Sequence, residues 1–196
     1  MTAHRFRPPS LSHLTRFMAI GLAALGIGSG AAIAKSVQIP ELATPITTVR
    51  LIGDETTLKL SNGIGAAQTL EISTGNSVGC RLDARVEQSG DTLEIHLTRS
   101  GIETSWWCEP ELHIAMPPEL GLKVEVAKLV ADIRGAFGAV DIASENAVVN
   151  FTGDAAHFKL TGAKAISRLE FGPATKRENV DVAVPLNLSH VSFRTE

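Results

Sequence analysis

Glutamate and histidine alternate with apolar residues in two short segments, in a pattern that suits metal binding. Glu94 and His96 lie in one segment, and Glu111 and His113 lie in the other. Side chains two residues apart on a β-strand point to the same face of the sheet, so two neighbouring strands would bring all four side chains together. Carboxylate and imidazole groups bind zinc and copper. The pattern therefore indicates either a metal site on one exposed sheet face or a polar face that contacts only solvent.

Two consecutive tryptophans, Trp106 and Trp107, lie in the long connection between Ser100 and Pro110. Exposed tryptophan is a favoured anchor in interfaces, because it combines a large apolar surface with a hydrogen-bond donor. We therefore expect either that one or both contact a glycan or a protein, or that at least one packs against a disulfide. The chain contains no tyrosine, which argues against an extended aromatic platform for sugars.

The N-terminal segment 1–34 has the pattern of a secretory signal peptide. A positively charged start without acidic residues precedes an apolar run at 17–27, and small residues end in Ala32-Ile33-Ala34. This order predicts cleavage before Lys35 and a periplasmic or secreted protein that has no stable membrane insertion after cleavage. The alternative is an uncleaved membrane anchor, because no charged residue lies between Phe17 and Ala34 and the segment has about the minimum length for crossing a bilayer.

Cys80 and Cys108 are the only cysteines of the chain. Export would place them in an oxidising compartment, where a disulfide between them is the expected state. A catalytic cysteine or a metal ligand is the alternative, but the spacing matches neither a C-x-x-C motif nor a zinc pattern. We therefore predict a structural disulfide between these two residues.

The elements that must position these residues are β-strands. Apolar and polar residues alternate from 45 to 126, and this period of two is typical of half-buried strands. Turn-forming residues separate the runs, and Gln88-Ser89-Gly90-Asp91 is expected to close a β-hairpin between 80–87 and 92–99. No stretch shows a sustained helical period, so the sequence predicts an all-β fold.

A nine-residue repeat begins at residue 132 and continues to 176. The second position of each block is apolar, and the first position is polar and variable. Glycines at the fourth position supply corners. Such a unit cannot bury its apolar residues alone, so the pattern predicts a short β-solenoid with nine-residue sides. We expect this solenoid to belong to a single domain at 35–196. Residues 177–196 are expected to form its C-terminal cap. An antiparallel meander is the alternative fold. Within the solenoid, a turn of two blocks and a turn of three blocks would both place opposite charges next to each other on stacked strands. The inward residues are Ile133, Ile142, Phe151, Leu160 and Leu169, and the outward ones are Asp132, Asp141, Asn150, Lys159 and Arg168.

Several segments together resemble a known family. The strand LEIHL at 93–97, the two strands in LHIAMPPELGLKVEV at 112–126, and the following ADIRG and AVDIAS segments resemble the bacterial putative-adhesin domains of unknown function. These domains have a right-handed β-helix of the head-GIN type. The resemblance covers 49–193 and implies a right-handed solenoid in the cell envelope. The family offers no catalytic residues to carry over to this chain.

Charge and motifs exclude several classes of function. With 18 Lys and Arg against 21 Asp and Glu, the net charge is −3, and no basic block is present, so nucleic acid is not an expected partner. Gly63-Ile64-Gly65 lacks the third glycine of a dinucleotide site, and no cofactor is indicated. We predict an exported, non-enzymatic, adhesin-like binding or structural module of the envelope, whose partner is an envelope protein or a glycan. The alternatives are a periplasmic metal-handling protein and a polysaccharide-acting β-helix enzyme.

Overall fold

Eleven β-strands and one short 3₁₀ helix make up the part of the chain that the structure describes. The computed structural model describes residues 33–39, 41–62, 70–76, 80–101 and 111–195. The strands are β1 (Ile33–Ser36), β2 (Thr48–Ser61), β3 (Glu71–Asn76), β4 (Cys80–Ser89), β5 (Thr92–Gly101), β6 (Glu111–Ala115), β7 (Gly121–Ala143), β8 (Asn146–Thr161), β9 (Lys164–Phe171), β10 (Val180–Ala183) and β11 (Leu186–Phe193), and the 3₁₀ helix is Arg177–Asn179. The expectation of an all-β protein is confirmed.

The strands form one large mixed sheet. Its main path has the order β1-β3-β6-β2-β7-β8-β9-β11, while β5 pairs with both β2 and β4, and β10 pairs with β8. The predicted hairpin is confirmed, because β4 and β5 are antiparallel and Ser89 lies opposite Thr92. In contrast, β7, β8 and β9 pair in parallel. The parallel pairing excludes an antiparallel meander for residues 121–171.

The parallel strands keep one constant register. Lys128 pairs with Asn146 and Ala143 pairs with Thr161, so partners on β7 and β8 are 18 positions apart. The same offset relates Asn146 on β8 to Lys164 on β9. Two nine-residue blocks therefore separate a residue from its partner, which is the spacing expected if two blocks form one turn. Asp141 faces Lys159 in this register, as a turn of two blocks requires.

Glycine at the corners lets successive strands stack closely. Gly153 has a φ of +144°, and a Cβ added to it would lie 1.8 Å from the carbonyl oxygen of Gly135. The next layer continues this contact, because the amide of Gly172 donates to the carbonyl of Gly153 at 2.7 Å. A side chain has no room at this corner, so the glycine of the repeat is a geometric requirement.

The core lies along the inward side of the stacked strands and contains a cluster of phenylalanines. Phe151 is fully buried, and the centroid of its ring lies 5.1 Å from that of Phe158 and 5.2 Å from that of Phe171. Ile142 is also fully buried, whereas Asn150 and Lys159 are exposed. The predicted division into inward and outward positions is therefore confirmed at these residues.

The C-terminal segment departs from the regular register. Leu188 on β11 pairs with Ile166 on β9, 22 positions earlier, so four extra residues lie between these strands. Asp154 anchors the connection, because its Oδ1 accepts hydrogen bonds from the amides of Ala174 and Thr175 at 3.0 and 3.2 Å. The segment 177–196, predicted as a cap, thus contributes the last strands of the stack.

At the N-terminal side, β1 pairs antiparallel with β3, and Lys35 lies opposite Thr74. The predicted cleavage site between Ala34 and Lys35 falls within β1. Cleavage at this site stays a prediction. None of the described residues belongs to a helix with the length and apolarity needed to span a bilayer.

Candidate functional site

The two Glu–His pairs lie on strands that are not neighbours in the sheet. β5 pairs with β2 at Thr48–Ile52, and β6 pairs with β2 further along, at Thr57–Ser61. Glu94 therefore lies beside Arg50, and Glu111 lies beside Thr57. The structure brings each pair together but does not bring all four side chains onto the expected common face. The alternation within each segment predicts which side chains share a face of their own strand, but it does not predict which strands are neighbours in the sheet.

Within each pair, the carboxylate already contacts a cationic side chain. Glu111 lies 3.1 Å from Nε2 of His113, and Nζ of Lys59 donates to it at 3.0 Å. The hydrogen bond from Lys59 is the main reason that the pKa of Glu111 lies below its usual value. Glu94 lies 3.4 Å from Nε2 of His96 and accepts a hydrogen bond from Arg50 at 2.9 Å. Metal binding by these residues stays a prediction.

The described residues contain no group of three or more His, Cys, Asp or Glu side chains arranged to hold a metal ion. A stable zinc or copper site normally has at least three protein ligands. Each Glu–His pair supplies two, and each carboxylate has a competing cation beside it.

A charged ladder crosses the outward face of β5, β2 and β7. Arg50 donates from Nε to Glu125 at 2.7 Å and from Nη1 to Glu94 at 2.9 Å. Lys123 lies 2.9 Å from the other carboxylate oxygen of Glu125. Hydrogen bonds from Lys123 and then Arg50 hold the pKa of Glu125 below its ordinary value. The ladder joins side chains that are far apart in the sequence.

We expect Glu125→Gln to lower the free energy of unfolding at pH 7 by at most about 1 kcal/mol, because the ion pairs are partly exposed. The pKa of Glu125 is lower in the folded state than in the unfolded state. The stability that ionised Glu125 contributes is therefore fully present above the unfolded-state pKa, and it is lost as the pH falls through the folded-state pKa. Urea unfolding at pH 7 and at acidic pH would therefore give a difference between wild type and variant that shrinks on acidification. Glu178→Gln, at an exposed residue of the 3₁₀ helix, is the control. A difference that grows on acidification would contradict the lowered pKa.

A line of exposed aliphatic side chains crosses the outward face of β7, β8, β9 and β11. Val130 pairs with Val148, Val148 with Ile166, and Ile166 with Leu188. Their exposed fractions are 50%, 39%, 56% and 72%. We call these four residues the apolar stripe. On β7, β8 and β9 they alternate with buried neighbours, so they occupy outward positions that elsewhere carry polar side chains.

The apolar stripe forms the floor of an open groove of about 810 Å³. This volume lies in the range of small-molecule sites. Leu186 extends the apolar lining, and Thr57 lies at the other end of the groove. Exposed apolar surface that is continuous, rather than scattered, marks binding sites. The groove is therefore the main candidate functional site among the described residues.

One rim of the groove carries a row of polar and basic residues. Lys128, Asn146 and Lys164 pair in register, two positions before the residues of the apolar stripe. Lys128 lies 3.6 Å from Glu55, which also lies 3.2 Å from Arg99. Lys164 has no ion-pair partner in the described part of the chain. The rim therefore offers positive charge to a ligand.

On the other side of the apolar stripe, beyond the residues that line the groove, the charged side chains pair with one another. Arg134 forms two hydrogen bonds of 2.8 Å with Asp132. Arg168 donates from Nε to Glu170 at 2.8 Å. The hydrogen bond from Arg168 and that from Arg194 hold the pKa of Glu170 low. The surface around the apolar stripe is therefore electrostatically asymmetric, with available positive charge on the lysine side.

The apolar stripe is not visible in blocks of nine, because its residues recur only in every second block. Val148 and Ile166 occupy the eighth position of alternate blocks, whereas His157 and Thr175 occupy that position in the blocks between and after them. A comparison of every second block would align Val148 with Ile166. Leu188 would still be missed, because the four extra residues shift its register.

Other predicted site residues lie outside what the structure describes. Cys80 is the first residue of β4, but its side chain and all of Cys108 are outside the described residues. The same holds for Trp106 and Trp107. The disulfide and the tryptophan contacts therefore stay predictions.

Comparisons with known proteins give distant structural matches. No protein-family model matches this chain, and no curated protein matches it. A putative cell adhesion protein from Clostridium sporogenes matches over 83% of this chain and 97% of its own, with 8% identity and a TM-score of 0.39. A putative adhesin from Bacteroides fragilis matches over 85% and 98%, with 8% identity and a TM-score of 0.26. A putative lipid binding protein from Parabacteroides distasonis matches over 86% and 98%, with 7% identity and a TM-score of 0.23.

Proposed function

We propose that this protein is an exported, non-enzymatic binding module of the bacterial cell envelope, and that its groove binds an elongated amphiphile with an anionic head group. The signal-peptide pattern of the segment 1–34 supports export. The observation that carries the proposal is the alignment of four exposed aliphatic side chains in the apolar stripe.

We also propose that the module is a two-sided β-solenoid, right-handed as the family resemblance implies. The constant offset of two blocks between the parallel strands supports a chain that returns to the same side after two blocks. The stacked glycine corners support sharp turns between the sides. In a stack of this kind, side chains at equivalent positions of successive turns lie next to each other along the axis. Four such side chains would form the straight apolar stripe.

The shape and chemistry of the groove favour an alkyl chain. The strands are about 4.8 Å apart, so Val130 and Leu188 lie about 14 Å apart along the stack. The stripe is aliphatic, and it lacks the aromatic rings that anchor more rigid polar ligands. An extended alkyl chain that lies along this line would gain about 0.8 kcal/mol of binding free energy for each methylene that it buries. Lys164 and Lys128 would then contact an anionic head group at the rim.

The lining of the groove supports binding rather than catalysis. Apart from the aliphatic residues, it presents lysines, amides and hydroxyls together with Glu55, whose carboxylate contacts Arg99. A surface of this composition is suited to holding a ligand through apolar contact and charge.

Titration with dodecanoate below its micelle concentration tests the proposal. We expect saturable binding by the exported protein, and we expect Ile166→Ser to weaken it by at least about tenfold, because the ligand loses apolar contact. Lys164→Gln should weaken binding of dodecanoate but leave binding of the uncharged monolaurin unchanged. Isothermal titration calorimetry would measure both affinities.

Leu42→Ser is the matched control, because Leu42 is 40% exposed and does not line the groove. It should bind dodecanoate as the wild type does. The proposal would be overturned if the wild type showed no saturable binding, or if Ile166→Ser and Leu42→Ser had equal affinities.

A further inference from the structure

β11 is an edge strand that lacks the usual protection of an edge. It pairs with β9 from Leu186 to Phe193, and it is the last strand of the main path of the sheet. In the described part of the chain, no strand pairs with its other edge. Its sequence LNLSHVSF has no proline, no lysine, no arginine and no acidic residue. Natural edge strands carry such residues to prevent pairing with another chain, so this edge is open to pairing.

A second open edge lies at the same end of the stack. β10 pairs with β8 from Val180 to Ala183, and among the described residues this is its only strand partner. The end of the core lies between β10 and β11. Val182 and Val184 are partly buried against the core, and Val191 is 41% exposed. Among the described residues, this end is therefore an incompletely covered cross-section of the stacked strands.

The aromatic core also reaches this end. The ring of Phe193 stacks on that of Phe171, with 5.2 Å between the centroids. The guanidinium of Arg177 lies 4.4 Å from the centroid of the Phe193 ring. Arg177 covers part of the aromatic surface, but the inward side chains of β11 before Phe193 stay exposed.

We propose that this end binds the same end of a second copy of the chain, with β11 antiparallel to β11 and β10 antiparallel to β10 about a two-fold axis. A single foreign strand could cover only one of the two edges. A second copy presents both edges and the core between them at the same spacing, so it covers the whole cross-section. An interface of this kind is isologous, as in most homodimers.

The side chains at this end are compatible with such a pairing. Rotation about an axis normal to the sheet preserves its faces, so outward Leu186 and Leu188 meet outward residues of the other copy, and inward Val191 meets inward ones. The charged residues nearby have both signs, with Asp181 on β10 and Arg177 before it. No block of like charge opposes association. The pairing would also join the apolar stripes of the two copies, because Leu188 is the last residue of each stripe.

Two variants at the β11 edge test the proposal. Val191→Lys introduces an inward-pointing charge, which is a natural device against edge pairing. Asn187→Pro removes an amide that points to the open edge. Successive amides along a strand point to opposite edges, and the amides of Leu186 and Arg194 point to β9, where they donate to the carbonyls of Ala163 and Phe171. The amide of Asn187, next to Leu186, therefore points away from β9. Leu42→Lys is the matched control, since Leu42 and Val191 have exposed fractions of 40% and 41%.

Sedimentation equilibrium of the exported protein over a range of concentrations gives the result. We expect the wild type and Leu42→Lys to have the mass of a dimer, and both β11 variants to dissociate at least about tenfold more readily, with unchanged far-UV circular dichroism. A monomeric wild type at its highest soluble concentration would overturn the proposal. Dimers of both β11 variants with wild-type affinity would overturn it as well, because they would place the interface elsewhere.

Discussion

Replacing Phe151 with alanine will lower the free energy of unfolding by about 3–5 kcal/mol. The side chain is fully buried, and its ring lies within 5.9 Å of the rings of Phe137, Phe158 and Phe171, centroid to centroid. These neighbours belong to three different strands. The strands are held in a fixed register, so the cavity left by the substitution cannot collapse easily.

Asn150→Ala is the control for this substitution, because Asn150 precedes Phe151 on the same strand and is exposed. We expect it to change the free energy of unfolding by no more than about 0.5 kcal/mol. Ile142→Ala and Lys159→Ala form a second inward and outward pair, with expected losses of about 2–5 and at most about 0.5 kcal/mol. Urea unfolding followed by circular dichroism measures all four. Equal losses at inward and outward positions would contradict the alternation.

Gly153→Ala will destabilise the protein by at least about 3 kcal/mol. The residue has a φ of +144°, which L side chains rarely adopt. In addition, the new Cβ would lie 1.8 Å from the carbonyl oxygen of Gly135. This atom belongs to the backbone of the neighbouring strand, so it cannot move aside as a flexible side chain would. Both effects act on the folded state.

Gly90→Ala separates the two effects. Gly90 also has a positive φ, of +64°, but nothing lies within 4 Å of an added Cβ. We expect this variant to lose only about 1–2 kcal/mol, the cost of the backbone conformation alone. Thermal and urea unfolding of both variants would give the comparison. Equal stability of the two alanine variants would mean that Gly153 does not lie in a closely stacked corner.

Positions on the strands could be predicted from the sequence because burial imposes a short period on it. Phe151 and Ile142 lie in the core, and Asn150 and Lys159 lie outside it, as the nine-residue blocks indicate. The hairpin of β4 and β5 also follows from local signals, since its turn residues and both strands are contiguous. Such features depend on neighbours in the chain, and a single sequence contains them.

The arrangement of the candidate site depends on contacts between distant segments, which a single sequence does not contain. Glu94 and Glu111 lie close in the chain, but their strands pair with different parts of β2. The apolar stripe requires the 18-residue offset between the parallel strands, and its last member, Leu188, requires the four-residue insertion as well. The residues of the stripe recur only in every second block of nine, so a comparison of successive blocks does not show the apolar pattern of the outward face.

The pairing of β2 with β7 has a consequence for the order in which the chain folds. Thr48 pairs with Gly121, and β3, β4, β5 and β6 all lie between them in the chain. In contrast, Asn146 on β8 pairs with Lys164 on β9, the strand that directly follows. Closing the longer loop costs more conformational entropy, and distant pairings slow folding. We therefore expect β7, β8 and β9 to nucleate together and β2 to dock onto them afterwards. During synthesis, β2 would then emerge before the strands β5, β6 and β7 with which it pairs, and it would remain unpaired until they have formed.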